Sequence, residues 1–209
     1  ESEITVAIDH LCDQSWLYQP MAEYLSQNNT TSIQVVETSL SKTTDMVVKE
    51  QADIAIINLP ITNHPAEAFG VVSMVPVVAK SHALASKSQL CLADFTTTSQ
   101  IVVRDLGIDD KKDVGWLKAR QRITVDNFDH AWKAVTQGVG FCRLPEHLVK
   151  SRQDENMVIL KIENADCYQV AMHVTLPKGA KTGPAAKCLY QMLLDSAKTR
   201  LSPTRADIS

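Results

Sequence analysis

Cys12 is the side chain whose setting could give it chemistry of its own. It stands just ahead of an amphipathic helix, where unpaired amides and the helix dipole can depress a thiol pKa and favour the reactive thiolate. Asp9 and Asp13 flank it, and nearby carboxylates raise a thiol pKa. The alternatives are a redox-sensing thiol and a small inert side chain, and the acidic neighbours favour the second. The other cysteines of the five, Cys91, Cys142, Cys167 and Cys188, include no C-x-x-C pair, so neither a disulfide framework nor a zinc site is indicated. Cys142 and Cys188 fall on apolar patterns that suit a core. The six histidines, His10, His64, His82, His130, His147 and His173, show no pair at metal-binding helical spacing. No G-x-S-x-G, Walker A or H-E-x-x-H motif occurs, so no catalytic, metal or cofactor set is expected. An enzyme would have to assemble its groups from distant positions.

The elements that must position these residues are β-α units. Ile4 to Ile8 reads as a buried strand, DHLCDQS as a turn, and the following helix places Leu17, Met21 and Leu25 on one face with Tyr24 beside them. Pro20 falls near the first turn of that helix, where a missing N–H costs least. Ser32 to Glu37 is a second strand, Thr38 to Ser41 supplies hydroxyl caps, Thr43 to Glu50 a second helix, and Asp53 to Leu59 a third β-rich run. Pro60 to Ala68 reads as a loop, and Val71 to Ala79 as an apolar run broken by Pro76, followed by a polar segment through Ser88. A second series begins at Ile101 to Arg104, passes the charged loop Asp105 to Asp113 before Trp116, and continues through Ile123 to Pro145. There Asp126 or Asn127 can cap a helix with Phe128, Ala131, Ala134 and Val135 on one stripe. Gly138 ends that helix, and Gly140 leaves room for close backbone approach before the strand Phe141 to Leu144. Glu146 to Lys150 is a short helix, and Met157 to Ile162 and Tyr168 to Leu176 are strands. A final helix opens at Gly183-Pro184 with Ala185, Cys188, Leu189, Met192 and Leu193 as its stripe, and the tail SPTRADIS is frayed.

Alternation of strand and helix with short connections points to a parallel or mixed sheet covered by helices, whose ligands sit at the carboxyl ends of strands. With 209 residues, 44% hydrophobic and 22% charged, the chain can bury one large core or two modest ones. No apolar run approaches the roughly 20 residues that span a bilayer. A formal charge of −3 argues against an autonomous nucleic-acid binder. The absence of an initiator Met and the immediate entry into a strand suggest a piece of something longer, in a reducing cytoplasm.

Taken in order, several pieces carry a resemblance. They are an opening β-loop-α with Pro in its helix, D-I-A-I after the second helix, V-P-V-V-A-K-S-H-A-L leading into the second series, then V-D-N and G-V-G-F-C-R-L-P. Across nearly the whole chain this order resembles the effector-binding domain of LysR-type transcriptional regulators. One departure is Glu50, where the family usually has Gly before its third strand, which puts the C-cap of the second helix in question. The resemblance implies an α/β, two-lobed fold of the type 2 periplasmic-binding-protein kind with two crossover strands, near Val75 to Lys80 and Ala171 to Leu176. The first lobe would comprise residues 1–75 and 176–209, the second 76–175.

The resemblance also implies a small-molecule effector between the lobes, bound differently by two lobe arrangements, and a winged helix-turn-helix preceding residue 1 as the sole route to DNA. The pocket carried over by position comprises Asp9, His10, Cys12 and Asp13, Thr38 and Ser39, Val103 and Arg104, and Asp126, Asn127 and Phe141 at the cleft edge. Hydroxyls, helix amides and Arg104 suit a carboxylate. Asp9 and Asp13 could instead hold the amine of an amino-acid-like molecule. In the alternative, Asp13 caps the first helix, Asp9 points to solvent, Thr38 and Ser39 cap the second helix, and Arg104 pairs with Asp105 or a neighbouring acid. The family's peroxide-sensing branch has a cysteine pair in the loop that here reads RDLGIDDKKDVG, without cysteine. Self-association as a homodimer or tetramer is expected, with Trp16 to Leu25 and the Phe128 to Val135 helix as contact faces and Trp132 as anchor. A transporter's solute-binding protein, with a related fold, is the main competing function.

Overall fold

A computed structural model describes residues 1–104, 119–163 and 168–202. The expectations for Asp105 to Asp113, Trp116, Cys167 and the tail from residue 203 lie outside the described residues. In chain order the first elements are β1 (Glu3–Asp9), α1 (Ser15–Gln27), β2 (Ser32–Thr38), α2 (Leu40–Val48), β3 (Ile54–Ile57) and β4 (Ala66–Ala79). There follow α3 (Leu92–Thr96), β5 (Ser99–Val103), β6 (Gln121–Val125), α4 (Phe128–Thr136), β7 (Phe141–Pro145) and α5 (Glu146–Arg152). The last are β8 (Met157–Ile159), β9 (Tyr168–Thr175) and α6 (Pro184–Leu201), with short 3-10 turns at Ala83–Ser86 and Gly179–Lys181. Two compact units result, Glu1–Val71 with Ala171–Ser209, and Val72–Val170. The chain leaves the first within β4 and returns within β9.

In the first unit β2, β1 and β3 are parallel neighbours, and β9 runs antiparallel to β3. The register Glu3↔Ser32 through Asp9↔Thr38 brings the carboxyl ends of β1 and β2 level. β1 and β3 bury both faces: Ala7, Ala55 and Ile57 pack with Met46 and Val47 of α2, while Val6, Ile8, Ile54 and Ile56 on the alternate positions are also buried. Each of the Val, Ile and Met side chains contributes about 1.5–3 kcal/mol of transfer free energy. Helix α1 buries Leu17, Pro20, Met21 and Tyr24, whereas Leu25 is exposed, because the helical stripe runs 17-20-21-24 and leaves Leu25 on its flank. Pro20 is the sixth helical residue rather than a first-turn one, since the helix begins at Ser15. The stripe of α6 is Ala186, Leu189, Leu193 and Ala197, which let α6 approach α1 closely; Cys188 is exposed and is not a core residue.

At the end of α2, Glu50 takes the left-handed conformation that Gly usually fills, with φ of +52°. Its N–H donates to the Val47 carbonyl at 3.0 Å, and that of Gln51 to Met46 at 2.9 Å, so the cap forms without glycine. The Glu50 carboxylate reaches Lys181 at 2.9 Å.

In the second unit β6, β5 and β7 are parallel neighbours and β7 runs antiparallel to β4, which also pairs with β8. The Pro60 to Ala68 loop is shorter than expected, because β4 begins at Ala66 and continues through Pro76. Pro76 is tolerated inside the strand because its carbonyl still accepts from Leu160 at 2.8 Å, and the donor it lacks falls at the end of the β8 ladder. Asn127 Oδ1 accepts the His130 N–H at 2.9 Å and caps α4, whose Ala131, Trp132 and Val135 pack on Val75, Val77, Ile101, Cys142 and Leu144. Gly138, at φ of +79°, closes the helix. The 3-10 turn at Ala83–Ser86 lies in the segment that reads as polar through Ser88, and α3 follows in residues to which the sequence assigns no element. Their anchor is Asp94, which accepts from Cys91 N–H at 2.9 Å and Lys87 Nζ at 2.8 Å, while Phe95 is buried. A five-residue helix is too short to show a period.

Candidate functional site

The parallel register of β1 and β2 sets Asp9 beside Thr38, where each strand turns toward its helix. Asp9 is completely buried. Its Oδ1 accepts the Leu11 N–H at 3.0 Å and its Oδ2 the Leu40 N–H at 3.1 Å, so one carboxylate ties the β1–α1 loop to the first residue of α2. Leu40 has φ of +22°, rare for leucine. The alternative in which Asp9 points to solvent is therefore overturned. Asp9 lies where α2 would offer amides to an anion, so the protein's own charge takes that position.

Around it, Asp13 Oδ1 accepts from the Ser15 N–H at 3.0 Å and the Ser15 hydroxyl at 2.7 Å, turning the chain into α1. The Thr38 hydroxyl is buried, 2.7 Å from that of Thr43 and 3.3 Å from the Ile8 carbonyl. Ser39, also buried, caps α2 through its backbone carbonyl, which accepts from Lys42 and Thr43, rather than through its hydroxyl. The His10 N–H donates to the Thr38 carbonyl at 2.8 Å.

Cys12 is 2% exposed, its Sγ 3.5 Å from the Asp13 carbonyl oxygen. Burial, then the charges of Asp13 and Asp9, push its thiol up to about 12, with Arg200 opposing. A thiol protonated at neutral pH is a poor nucleophile. With iodoacetamide at pH 8, the exposed Cys91 and Cys188 are expected to alkylate and Cys12 to remain unmodified in the folded chain, read by peptide mass spectrometry. Rapid alkylation of Cys12 would restore the thiol-sensing alternative. Because the folded value lies above the ordinary 9.0, this group's contribution is fully present below pH 9 and is lost as pH rises toward 12.

In the second unit, Val103 pairs with Val125 at the ends of β5 and β6, and the next residues form an ion pair, Arg104 Nε to Asp126 Oδ1 at 2.6 Å. The acid that pairs with Arg104 is thus Asp126. Both side chains are more than half exposed, so the pair is worth at most about 1 kcal/mol. Asn127 is engaged in the α4 cap, and Val103 is half-buried. Phe141 is not at a cleft edge. It is fully buried, edge-on to Phe95 at 4.6 Å between centroids, in a cluster with Val78, Leu84 and Leu90. Strand parity turns it into the core of its unit.

Arg143, in the same strand, was not among the expected site residues. It is half-buried, its guanidinium carbon 4.9 Å from the Tyr168 ring centroid, and its Nε is buried without a hydrogen-bond partner. A lone basic residue inside F-C-R-L-P is the signal that could have found it. A second stacked arginine, Arg200, lies 4.7 Å over Trp16 and 4.9 Å over Phe69 in the first unit, donating to the Phe69 carbonyl at 2.6 Å. Among the described residues no group of three metal-ligating side chains occurs, and no helix is long and apolar enough to cross a membrane.

Solved structures share this fold at low identity. The CcmR regulatory domain of Synechocystis PCC6803, in complex with 2-PG, has TM-score 0.78 and 15% identity, over 95% of this chain and 98% of that one. The effector binding domain of QuiR, in complex with shikimate, has TM-score 0.76 and 16% identity, over 96% and 99%. The reduced OxyR regulatory domain from Pseudomonas aeruginosa has TM-score 0.70 and 14% identity, over 94% and 97%. At such identities the likeness speaks to the fold, which is the periplasmic-binding-protein-like fold of these regulatory domains. No curated protein matches the chain by sequence. The family model described as LysR substrate binding domain matches residues 1–198, and the chain belongs to that family.

Proposed function

We propose that this domain senses a small polar effector of amino-acid-like, mixed charge at the carboxyl ends of its parallel strands, as the regulatory part of a transcription factor whose DNA contacts are made by a helix-turn-helix module elsewhere in the protein. The observation that carries the ligand class is Asp9, buried in front of α2 with the Leu11 and Leu40 amides on its two oxygens. Asp13, four residues on and half-buried, adds fixed negative charge at the same loop with Asp9 buried behind it, and the group this charge complements is an ammonium or a hydroxyl donor. The CcmR and QuiR domains are complexes with 2-PG and shikimate, and the proposal extends small-molecule binding of that kind to this chain.

Thermal stabilisation against amino acids, amines, simple carboxylates and aromatic acids tests the reading. A ligand at 100 times its Kd stabilises the folded state by about 2.7 kcal/mol. The expected result is a specific rise with an amino-acid-like compound, reduced in Asp13→Asn, which keeps a capping oxygen but loses the charge. A response confined to simple carboxylates and indifferent to Asp13→Asn would contradict mixed charge, and no response to any compound would sink effector sensing.

We also infer that the chain self-associates through α1 and the edge strand β2. Tyr18 and Leu25 are 50% and 46% exposed and, with the exposed Ala22 between them, form an apolar stripe on α1, while β2 is an edge strand of the sheet. Trp132 is not the anchor: it is 6% exposed, donates to Asp154 at 2.9 Å and is covered by Arg152 at 4.7 Å. Light scattering at high micromolar concentration should give a dimer, and the double variant Tyr18→Glu, Leu25→Glu a monomer. An unchanged mass in the variant would move the interface elsewhere.

A further inference from the structure

The β7 strand holds a cation whose charge no described carboxylate meets. Along it, Cys142 and Leu144 face the cluster of Val75, Val77, Ile101 and Trp132, while Phe141 faces the cluster around Phe95. Arg143 shares the face of Phe141, two residues nearer the strand's carboxyl end. Ile101 pairs with Cys142, so Val102 is level with Arg143, and β5 ends one residue later. Arg143 therefore stands near the carboxyl ends of β5, β6 and β7, the end of a parallel sheet at which ligands bind.

Two contrasts single it out. Arg104, a second described basic residue at this end, is already neutralised by Asp126 at 2.6 Å, and Arg200 of the first unit, whose Nε is likewise buried without a partner, already donates to the Phe69 carbonyl at 2.6 Å. Arg143 has Tyr168 against its plane and Pro76 opposite it on β4, but no carboxylate pairs with it among the described residues, and its Nε is buried with no hydrogen-bond partner. A desolvated, unpaired donor of a charged group is costly, and the planar guanidinium fork matches an oxyanion through two parallel hydrogen bonds. The Tyr168 ring restricts the plane in which that fork can turn.

We propose that Arg143 is the oxyanion receptor of the second unit, its guanidinium binding the carboxylate or another oxyanion group of the effector. This rests on the effector-sensing reading above and adds to it the residue of the second unit that recognises an oxyanion group.

The test is a titration of the 209-residue chain with acetate, inorganic phosphate and sulfate at constant ionic strength, following the Nε–Hε NMR signal of Arg143, identified by its loss in Arg143→Lys. The expected result is a saturable shift of that signal with at least one anion. By far-UV-matched thermal stabilisation, the affinity should fall about tenfold or more in Arg143→Gln, the loss of one charge-assisted bidentate contact. Arg120→Gln, which removes an exposed charge, should leave the titration unchanged. A non-saturating drift with all three anions, or equal affinity in Arg143→Gln, overturns the proposal. An effector found in the wider panel and bound undiminished by Arg143→Gln overturns this assignment alone. Oxyanions that saturate on Arg143 while every organic compound fails would retain the site and overturn effector sensing.

Discussion

Replacing Asp9 with alanine is expected to destabilise the chain by about 3–5 kcal/mol, a large share of the roughly 5–15 kcal/mol that holds a domain folded. The carboxylate accepts two backbone N–H groups, Leu11 at 3.0 Å and Leu40 at 3.1 Å, from two different loops, and is itself inaccessible to solvent. Alanine leaves both donors without their acceptor, so the loss is the desolvation cost of each amide as well as the bonds themselves. Leu40 adds to the effect, because a leucine at φ of +22° persists only where its surroundings hold it. Asparagine separates charge from shape. It supplies one acceptor oxygen but turns an NH2 toward the second amide, and a loss of about 1–3 kcal/mol is expected. Urea denaturation with an unchanged m value measures both. A change under 0.5 kcal/mol in Asp9→Ala would mean that the two loops are held by their own hydrophobic contacts and that Asp9 is free to serve a ligand instead.

That role of Asp9 was beyond the reach of sequence reading, and the reason is separation. One of its amide partners is two residues away and the other 31, so no local pattern links them. What was legible is what a local signal specifies. Asn127 with His130 makes a cap within three residues, and Gly138 ends its helix by conformation alone. The order of β-α units, and the resemblance it carries, was likewise legible because hydrophobic period and turn residues act over short spans. Faces were less so. Alternation tells that Phe141 and Cys142 point to opposite sides of β7, but both sides of this strand are covered, and only packing shows that Phe141 meets Phe95 rather than a ligand. Arg143 is the converse case: a charged residue in an apolar strand is visible as a type, but its buried, unpaired Nε belongs to the folded state. Burial of Cys12 follows the same logic, since its acidic neighbours were readable and the dominant effect, desolvation, was not.

Gly140→Ala is expected to cost about 2–4 kcal/mol, more than Gly138→Ala two residues earlier, and the order of the two is the informative result. The glycines serve different physics. Gly138 sits at φ of +79° with open space where a Cβ would go, so alanine there pays only the left-handed conformation, about 1 kcal/mol. Gly140 needs no unusual φ. Its hypothetical Cβ would collide with the Ser99 backbone carbonyl, at the first residue of β5, and a backbone carbonyl cannot rotate away as a side chain can. Relief requires β7 to withdraw from β5, which strains the pairing of Gln100 with Phe141 and Ile101 with Cys142 and loosens the clusters on both faces of β7 at once. Chemical denaturation of the two variants in parallel gives the comparison, and amide exchange at Cys142 and Ile101 should accelerate in Gly140→Ala alone. Equal losses in the two variants would show that β7 can shift at little cost. That would weaken the case for Arg143 as a fixed receptor, because a guanidinium held to the geometry of an oxyanion needs a strand that stays in place.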